Sequence, residues 1–243
     1  MKYLIIADIH SNLEAFQTVL DDAKNYGGFE RVWCLGDIVG YGPDPSACIE
    51  LLKGLDPLCV SGNHDQAAVG KIDIGDFNSE AARANRWTAG QLSEDDRDYL
   101  LALPEKLVQD GFTLVHGSPR MPVWEYIAHA FTAADNFDYF DTPYCLVGHT
   151  HVPFLFEQED SLVKESYLND GDILMPAGKR LIINPGGVGQ PRDRDPRAAY
   201  VIYDSEDGII HHHRISYEIG LTQDKMEAAG LPEFLVSRLG WGV

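Results

Sequence analysis

Short apolar runs that end in polar clusters recur along the first part of this chain. Residues 3–7 form a run typical of a buried parallel strand, and it stops at Asp8. Apolar residues then recur at helical spacing over 13–23, with Asn12 as the predicted N-cap and two glycines at 27–28 as the end. The pattern predicts a strand, a polar loop and a helix.

The same succession follows twice more before residue 66. A strand is predicted over 31–35, followed by the loop GDIVGYGPDP and a helix over 45–52, and a third strand over 58–60 leads into SGNHD. Three such units predict βαβ crossovers and a mostly parallel sheet. The polar clusters all fall at carboxyl ends of strands, the edge at which open α/β sheets bind ligands.

The remaining chain is predicted to be helical first and rich in strands later. Helices over 77–90 and 93–101, the second opened by Ser93 and Asp96, predict a helical cap at about 66–105. Further apolar strands are expected at 112–115 and 144–147, and their polar ends are expected at the same sheet edge as the first three. Beyond them, strands at 152–156, 181–183, 199–203 and 209–215 predict a second sheet, mixed or antiparallel. Short helical turns are expected over about 217–243.

Composition narrows the class of protein. The 243 residues fit one domain over 1–243, and the apolar run at the start is too short for a signal peptide or a membrane span. The four cysteines show no metal-ligand spacing and are predicted to be reduced core thiols in a cytoplasmic protein. A net charge of −19 excludes long nucleic acid as a partner, since such binding needs Lys and Arg.

Five predicted strand ends carry side chains that can bind a metal ion. The donors are imidazole, carboxylate and amide oxygen without thiolate, a set that suits Mn, Fe or Zn. The D-x-H and H-x-H pairs are expected to place both side chains on one side of an extended backbone. The candidate ligands are Asp8, His10, Asp37, Asn63, His116, His149 and His151.

The motifs DIH, GD, GNHD, HG and GHTH, in this order, resemble the signature of the calcineurin-like metallophosphoesterase superfamily. The resemblance covers residues 1 to about 151 by motif and extends to about 203. It implies a four-layer α/β/β/α sandwich of two packed mixed β-sheets. It also implies a phosphoesterase that cleaves phosphomonoesters or phosphodiesters by attack of a metal-bridging hydroxide.

Carried over to this chain, the resemblance implies two divalent transition-metal ions, with Mn favoured over Fe or Zn. One ion would be held by Asp8, His10 and His151, and the other by Asn63, His116 and His149. Asp37 would bridge the two ions. His64 would donate a proton to the leaving oxygen, with Asp65 orienting its ring.

One departure from the family pattern bears on the substrate. Protein serine/threonine phosphatases have GDxVDRG, whereas this chain has Gly40-Tyr41-Gly42 and so lacks that arginine, a bidentate phosphate clamp. A small phosphorylated substrate is therefore expected. No membrane partner is expected, and the sequence does not predict an oligomeric state. Its predicted contacts are Asn12, Arg120, Arg192 and Arg197.

Two alternatives stay open beside a general phosphoesterase. The first is a hydrolase of dinucleoside polyphosphates or cyclic nucleotides, and the second is a non-catalytic scaffold with the same fold. The run His211-His212-His213 also resembles a metal-binding tract. Strand alternation sends His212 to the opposite face, so a solvated strand segment is predicted there, and His129 is predicted to be structural or exposed.

Overall fold

Two mixed β-sheets, each covered by helices on its outer face, make up the described part of the chain. The computed structural model describes residues 1–160, 162–176 and 178–243. The strands are β1 (Lys2–Ile6), β2 (Arg31–Cys34), β3 (Leu58–Cys59), β4 (Lys106–Gln109), β5 (Phe112–Val115), β6 (Tyr144–Leu146), β7 (Phe154–Glu159), β8 (Leu162–Tyr167), β9 (Ile173–Leu174), β10 (Arg180–Asn184), β11 (Ala198–Asp204) and β12 (Ile209–Ile215). The α-helices are α1 (Leu13–Asn25), α2 (Pro45–Lys53), α3 (Asn63–Ala68), α4 (Ser79–Gln91), α5 (Glu94–Ala102), α6 (Ala130–Asn136), α7 (Ile219–Ala228) and α8 (Glu233–Leu239).

The strand order of each sheet is mixed. The first sheet runs β3-β2-β1-β11-β12-β9, parallel from β3 to β1 and antiparallel beyond. The second runs β4-β5-β6-β10-β7-β8, with β5, β6 and β10 parallel to one another. The predicted two-sheet α/β/β/α architecture is confirmed. No helix in the described ranges combines the length and apolar character needed to cross a membrane.

The prediction that the second half of the chain forms a sheet of its own was wrong. Strands β11 and β12 join the first sheet instead, and β1 pairs antiparallel with β11, with Tyr3 opposite Tyr203. The first five residues of β11 are all buried, so the strand needs neighbours on both sides, and the central place beside β1 supplies them. The half-exposed strands β4 and β8 carry a weak apolar alternation and were not predicted.

Alternation along β1 separates two hydrophobic cores. Leu4 and Ile6 pack with α1 on the outer face of the first sheet. Tyr3, Ile5 and Ala7 point the other way, into the core between the two sheets. A third core lies between the second sheet and α6, so each strand run buries both of its faces, as its continuous apolar sequence predicts.

The predicted cap and the C-terminal segment contact each other. The cap contains α4 and α5, and α5 begins with the predicted capping box, in which Ser93 Oγ accepts from the backbone N–H of Asp96 at 3.1 Å. Helices α7 and α8 pack against α4 through a fourth apolar core, which includes Ala84, Met226 and Leu235. The C-terminal helices thereby lie next to the loop that carries Tyr41.

Two of the three histidines in β12, His212 and His213, are buried and His211 is half-buried, so the predicted solvated segment was wrong. His212 is fully buried, with Nδ1 3.0 Å from the carbonyl oxygen of Asn169 and Nε2 3.2 Å from that of Pro185. The predicted alternation is confirmed, because His211 and His213 stack on the other face with ring centroids 6.4 Å apart. His129 is exposed and the four cysteines are buried and free, as expected.

The core under α1 gives a test of this packing. Phe16 is fully buried, so Phe16→Ala is expected to lower the free energy of unfolding by about 3–5 kcal/mol. Phe131 is 79% exposed, and Phe131→Ala is expected to change the free energy of unfolding by less than about 1 kcal/mol. Urea unfolding of both variants measures the difference, and equal midpoints would contradict the assigned packing.

Candidate metal centre

Two groups of ligating atoms meet at Asp37, where loops from both sheets converge. Strands β1, β2 and β3 of the first sheet and β5 and β6 of the second end here, so the site lies between two sheet edges rather than at the single edge that was predicted. Within each group the ligating atoms lie within 4.8 Å of one another. The groups are Asp8, His10, Asp37 and His151, and Asp37, His116 and His149.

Asn63 completes the second group. Its Oδ1 lies 3.2 Å from Nε2 of His116, at the start of α3. Asp37 Oδ2 lies 3.6 Å from Nε2 of His10 and 3.2 Å from Nε2 of His116, so a single oxygen faces both groups. The structure therefore brings all seven predicted ligand residues into one buried cluster.

Main-chain carbonyl groups fix the orientation of the four imidazole rings. One ring nitrogen of each histidine lies at hydrogen-bond distance from a carbonyl oxygen, and a nitrogen in that position must carry the proton and donate it. The other nitrogen then faces the cluster with its lone pair, the form that binds metals. The pairs are His10 Nδ1 with Val39 at 3.1 Å, His116 Nδ1 with Leu35 at 2.8 Å, His151 Nδ1 with Gln190 at 2.6 Å and His149 Nε2 with Trp124 at 3.2 Å.

The inward-facing atoms oppose one another and fit a bound cation. Nε2 of His10 lies 3.1 Å from Nε2 of His151, and Nε2 of His116 lies 3.1 Å from Nδ1 of His149. Two neutral rings in such a pair cannot form a hydrogen bond while each keeps its carbonyl partner. Within the described ranges, Oδ2 of Asp8 and Oδ2 of Asp37 are also buried with no hydrogen-bond partner. Divalent transition ions accept this mixture of imidazole and carboxylate donors.

The electrostatics of the cluster point the same way. Burial raises the pKa of Asp8 to about 7, and the charge of Asp37 acts in the same direction. Burial lowers the pKa of His10, and likewise of His151, well below the ordinary value, so these rings are neutral at pH 7. Burial would lower the pKa of His116 too, but Asp37 raises it to about 9. That proton is one that a metal ion would replace.

Backbone conformation sets the ligand directions in a way that the sequence did not predict. The D-x-H and H-x-H pairs were expected on extended backbone, and that expectation was wrong. Left-handed φ angles, which cost energy outside glycine and collect at functional sites, occur at the residues that carry these ligands. The angles are 56° at Asp8, 49° at His10, 52° at Asp37, 66° at His149 and 59° at His151.

His64 lies beside the cluster but outside both ligand groups. Its backbone N–H donates to Oδ1 of Asp37 at 2.8 Å, and its ring packs against Tyr41 with centroids 4.3 Å apart. Gly40 permits this contact, because a Cβ atom there would lie 2.5 Å from Nδ1 of His64. The ring is fully buried next to the inward face of His10.

Asp65 was predicted to orient the His64 ring, but the structure places its carboxylate elsewhere. Its carboxylate accepts from the backbone N–H of Val39 at 3.1 Å and of Gly62 at 3.0 Å, and so joins two loops. The side chain of Asn85 takes the predicted place, with Nδ2 3.0 Å from Nδ1 of His64. Asn85 lies inside α4 without a motif around it, so only its helical neighbourhood and not its sequence identifies it.

Three of the four predicted substrate contacts are engaged elsewhere. Asn12 caps α1 through the N–H of Ala15, and its Nδ2 donates to Gly189 and Tyr217. Arg120 is paired with Glu125 and Asp135, and Arg197 with Asp195 and Asp170. Arg192 differs, because its Nη2 reaches the hydroxyl of Tyr41 at 3.4 Å, next to the cluster.

Comparison with known proteins identifies the family. The model of the calcineurin-like phosphoesterase superfamily domain matches residues 1–208. The chain belongs to this superfamily. Members of the superfamily are phosphoesterases that use divalent metal ions, and the two ligand groups are candidate positions for such ions in this metallophosphoesterase.

Individual relatives agree with the family assignment. The crystal structure of a metallophosphoesterase from Sphaerobacter thermophilus is 47% identical, with a TM-score of 0.92 and coverage of 100% of this chain and 99% of that one. Uncharacterized protein MJ0912 of Methanocaldococcus jannaschii is 40% identical over 98% of this chain and 97% of its own length. A symmetrical bis(5'-nucleosyl)-tetraphosphatase of Aromatoleum aromaticum is 29% identical over 51% of this chain and 46% of its own length.

Gly62 offers a test of how closely the loops approach. A Cβ atom at this position would lie 2.0 Å from Oδ1 of Asp37 and 2.4 Å from its backbone nitrogen. Gly62→Ala is therefore expected to lower the free energy of unfolding by about 1–3 kcal/mol and to weaken metal binding. Urea unfolding and metal analysis after dialysis measure the two effects.

Gly90 provides the matched control. It lies within α4 with open space around its Cα, so Gly90→Ala is expected to stabilise the protein by about 0.5–1 kcal/mol and leave metal content unchanged. Wild-type unfolding and metal content in Gly62→Ala would show that the two loops tolerate an added methyl group.

Proposed function

We propose that this protein hydrolyses phosphomonoester or phosphodiester bonds of small phosphorylated substrates with the help of two divalent metal ions, preferably Mn. The observation that carries the proposal is the position of Asp37, whose Oδ2 faces both ligand groups. Asp37 would bridge the two ions. One ion would be held by Asp8, His10 and His151, and the other by Asn63, His116 and His149.

The chain supplies orientation, and the ions supply charge. When bound, two divalent ions give Lewis-acid positions for phosphate oxygens and lower the pKa of a water molecule between them. The carbonyl partners of the four imidazoles hold the ring lone pairs inward. The backbone N–H of His64 holds Oδ1 of Asp37, which leaves Oδ2 free for the ions.

His64 is suited to protonate the leaving oxygen. Burial lowers its pKa to about 4 and the charge of Asp37 opposes that shift, so the charged ring readily gives its proton to a leaving oxygen and becomes neutral. Both polar atoms of the Asn85 side chain lie near Nδ1, Nδ2 at 3.0 Å and Oδ1 at 3.2 Å, so Asn85 can donate to the neutral ring or accept from the charged one, and Nε2 stays free to carry a proton. The two residues together would present a proton donor at the edge of the ligand cluster.

Aromatic side chains around the cluster favour a narrower candidate, a dinucleoside polyphosphate or cyclic nucleotide hydrolase. Tyr126 is 49% exposed and stacks on His149 with centroids 3.8 Å apart, and Phe77 and Trp124 pack edge to face nearby. Such rings can stack on a nucleobase. The similarity to the tetraphosphatase of Aromatoleum aromaticum adds support, so diadenosine tetraphosphate and cyclic AMP belong in the substrate panel.

Replacing the bridge tests the proposal directly. Asp37→Asn is expected to lower the hydrolysis of nitrophenyl phosphate and bis-nitrophenyl phosphate by on the order of 10²-fold or more, because it removes the charge shared by both ions. Metal analysis is expected to show lower occupancy. Asp138→Asn, the same change at an exposed position, serves as the control.

Two results would refute the proposed enzymatic activity. In the first, metal-loaded wild type cleaves neither nitrophenyl ester nor any nucleotide of the panel, and Asp37→Asn behaves in the same way. A protein that holds no transition metal even after reconstitution would favour a non-catalytic scaffold with this fold.

Leaving-group dependence tests the role of His64. His64→Gln is expected to slow hydrolysis of an alkyl phosphate by about 10²–10⁴-fold, because an alkoxide needs a proton to leave. Hydrolysis of nitrophenyl phosphate is expected to slow much less, since nitrophenolate leaves as an anion without taking up a proton. Steady-state kinetics at equal metal content measures both, with exposed His129→Gln as control. Equal losses on the two substrates would contradict the role of proton donor.

A further inference from the structure

Tyr41 lies between the ligand cluster and two arginines. Its ring contacts His10 and His64, with centroid distances of 4.5 Å and 4.3 Å. The guanidinium carbons of Arg192 and Arg238 each lie 5.8 Å from the centroid of the same ring. A single buried phenol thus separates the candidate metal centre from two positive charges.

Neither arginine has an aspartate or glutamate partner among the described residues. Arg192 donates to Gln190 at 3.0 Å and to the Tyr41 hydroxyl, and its Nε is buried with no hydrogen-bond partner among the described residues. Arg238 donates through Nε to the main-chain oxygen of Val243, and the described residues offer no hydrogen bond to its two terminal nitrogens. Both guanidinium groups therefore keep donors available.

The lack of an acidic side chain beside either arginine, among the described residues, is notable in a chain with 38 acidic residues against 19 basic ones. The neighbouring Arg197 and Arg214 are both paired with aspartates. Burial lowers the pKa of Arg238 to about 10, and the charge of Arg192 acts in the same direction, so the two positive charges disfavour each other although Arg238 is still a cation at pH 7. A bound anion would relieve that repulsion.

We propose that Arg192 and Arg238 bind a second phosphate group, so that the protein prefers substrates in which the reacting phosphate is joined to another phosphate. Guanidinium groups suit this task because their planar N–H forks match phosphate oxygens. The inference rests on the proposed function, which places the reacting phosphate at the ligand cluster. The second phosphate would then lie beside Tyr41.

Arg238 comes from a part of the chain outside the superfamily domain. The family model ends at residue 208, whereas Arg238 lies on α8. Leu235 and Leu239 on the same helix pack in one apolar cluster with Tyr41 and Ala84. The C-terminal helices therefore deliver the second arginine, which makes them a specificity element added to the common phosphoesterase fold.

Binding and kinetics of Arg238→Gln test the clamp. Calorimetry on Mn-loaded protein compares imidodiphosphate, which carries two joined phosphate groups, with inorganic phosphate. The preference for imidodiphosphate is expected to fall at least about tenfold in the variant, because charged hydrogen bonds are lost. The ratio of kcat/KM for ADP, diadenosine tetraphosphate or pyrophosphate to that for nitrophenyl phosphate is expected to fall similarly, and the three compounds identify the source of the second phosphate.

Two further variants serve as controls. Arg238→Lys keeps the charge without the fork and is expected to restore part of the preference. Arg83→Gln removes a charge from an exposed arginine that donates to the carbonyl oxygen of Gly230, in the same helical layer, and is expected to match wild type. An unchanged preference in Arg238→Gln, or the same loss in Arg83→Gln, would overturn the clamp.

The two proposals fail in different ways. In one outcome, the wild type binds imidodiphosphate more tightly than phosphate, this preference is lost in Arg238→Gln, and yet no substrate is hydrolysed. That result would refute the proposed phosphoesterase activity and support the proposed anion site. If the wild type hydrolyses nitrophenyl phosphate but binds phosphate and imidodiphosphate equally, the proposed phosphoesterase activity is supported and the proposed anion site is refuted.

Discussion

Mutual repulsion among buried ligand atoms is the constraint on which the rest of this structure depends. Four imidazole lone pairs and two carboxylates point into one small space, with ring nitrogens of neighbouring histidines 3.1 Å apart. Such an arrangement is unfavourable by itself and becomes favourable around cations. The protein holds it in place from outside, through carbonyl groups that fix each ring and through loops from two sheets. Left-handed backbone at five ligand residues is a further cost of aiming the side chains inward.

The sequence predicted the local elements of the fold better than their arrangement. Apolar runs located β1, β2, β5 and β6, since strands buried on both faces leave a continuous signal. Helical periodicity located α1 and the capping box of α5. Sheet membership was predicted wrongly for β11 and β12, because a buried run does not reveal whether its neighbours come from nearby or distant sequence. The half-exposed β4 and β8 left too little alternation to be recognised.

In the site, residue identity was predictable and orientation was not. Strand-end motifs and the family resemblance brought together the seven ligand candidates, because chemistry restricts which residue types can serve. The partner of His64 was missed, since Asn85 reaches it from α4 by tertiary packing alone. Arg120 and Arg197 were expected to contact the substrate, but nearby aspartate and glutamate side chains bind them. Charge pairing of this kind depends on coordinates rather than on spacing in the sequence.

The pairing of β1 with β11 also dictates the order in which the molecule can be completed. Lys2 lies opposite Asp204, so β1 can complete this pairing only after β11, far along the chain, has been synthesised. During synthesis the ribosome must release most of the chain before the first sheet gains its central partner. Contacts between such distant segments are slow to form, because a long loop must close first. The ligand loop at the end of β1 therefore follows a strand whose central pairing joins distant segments of the chain.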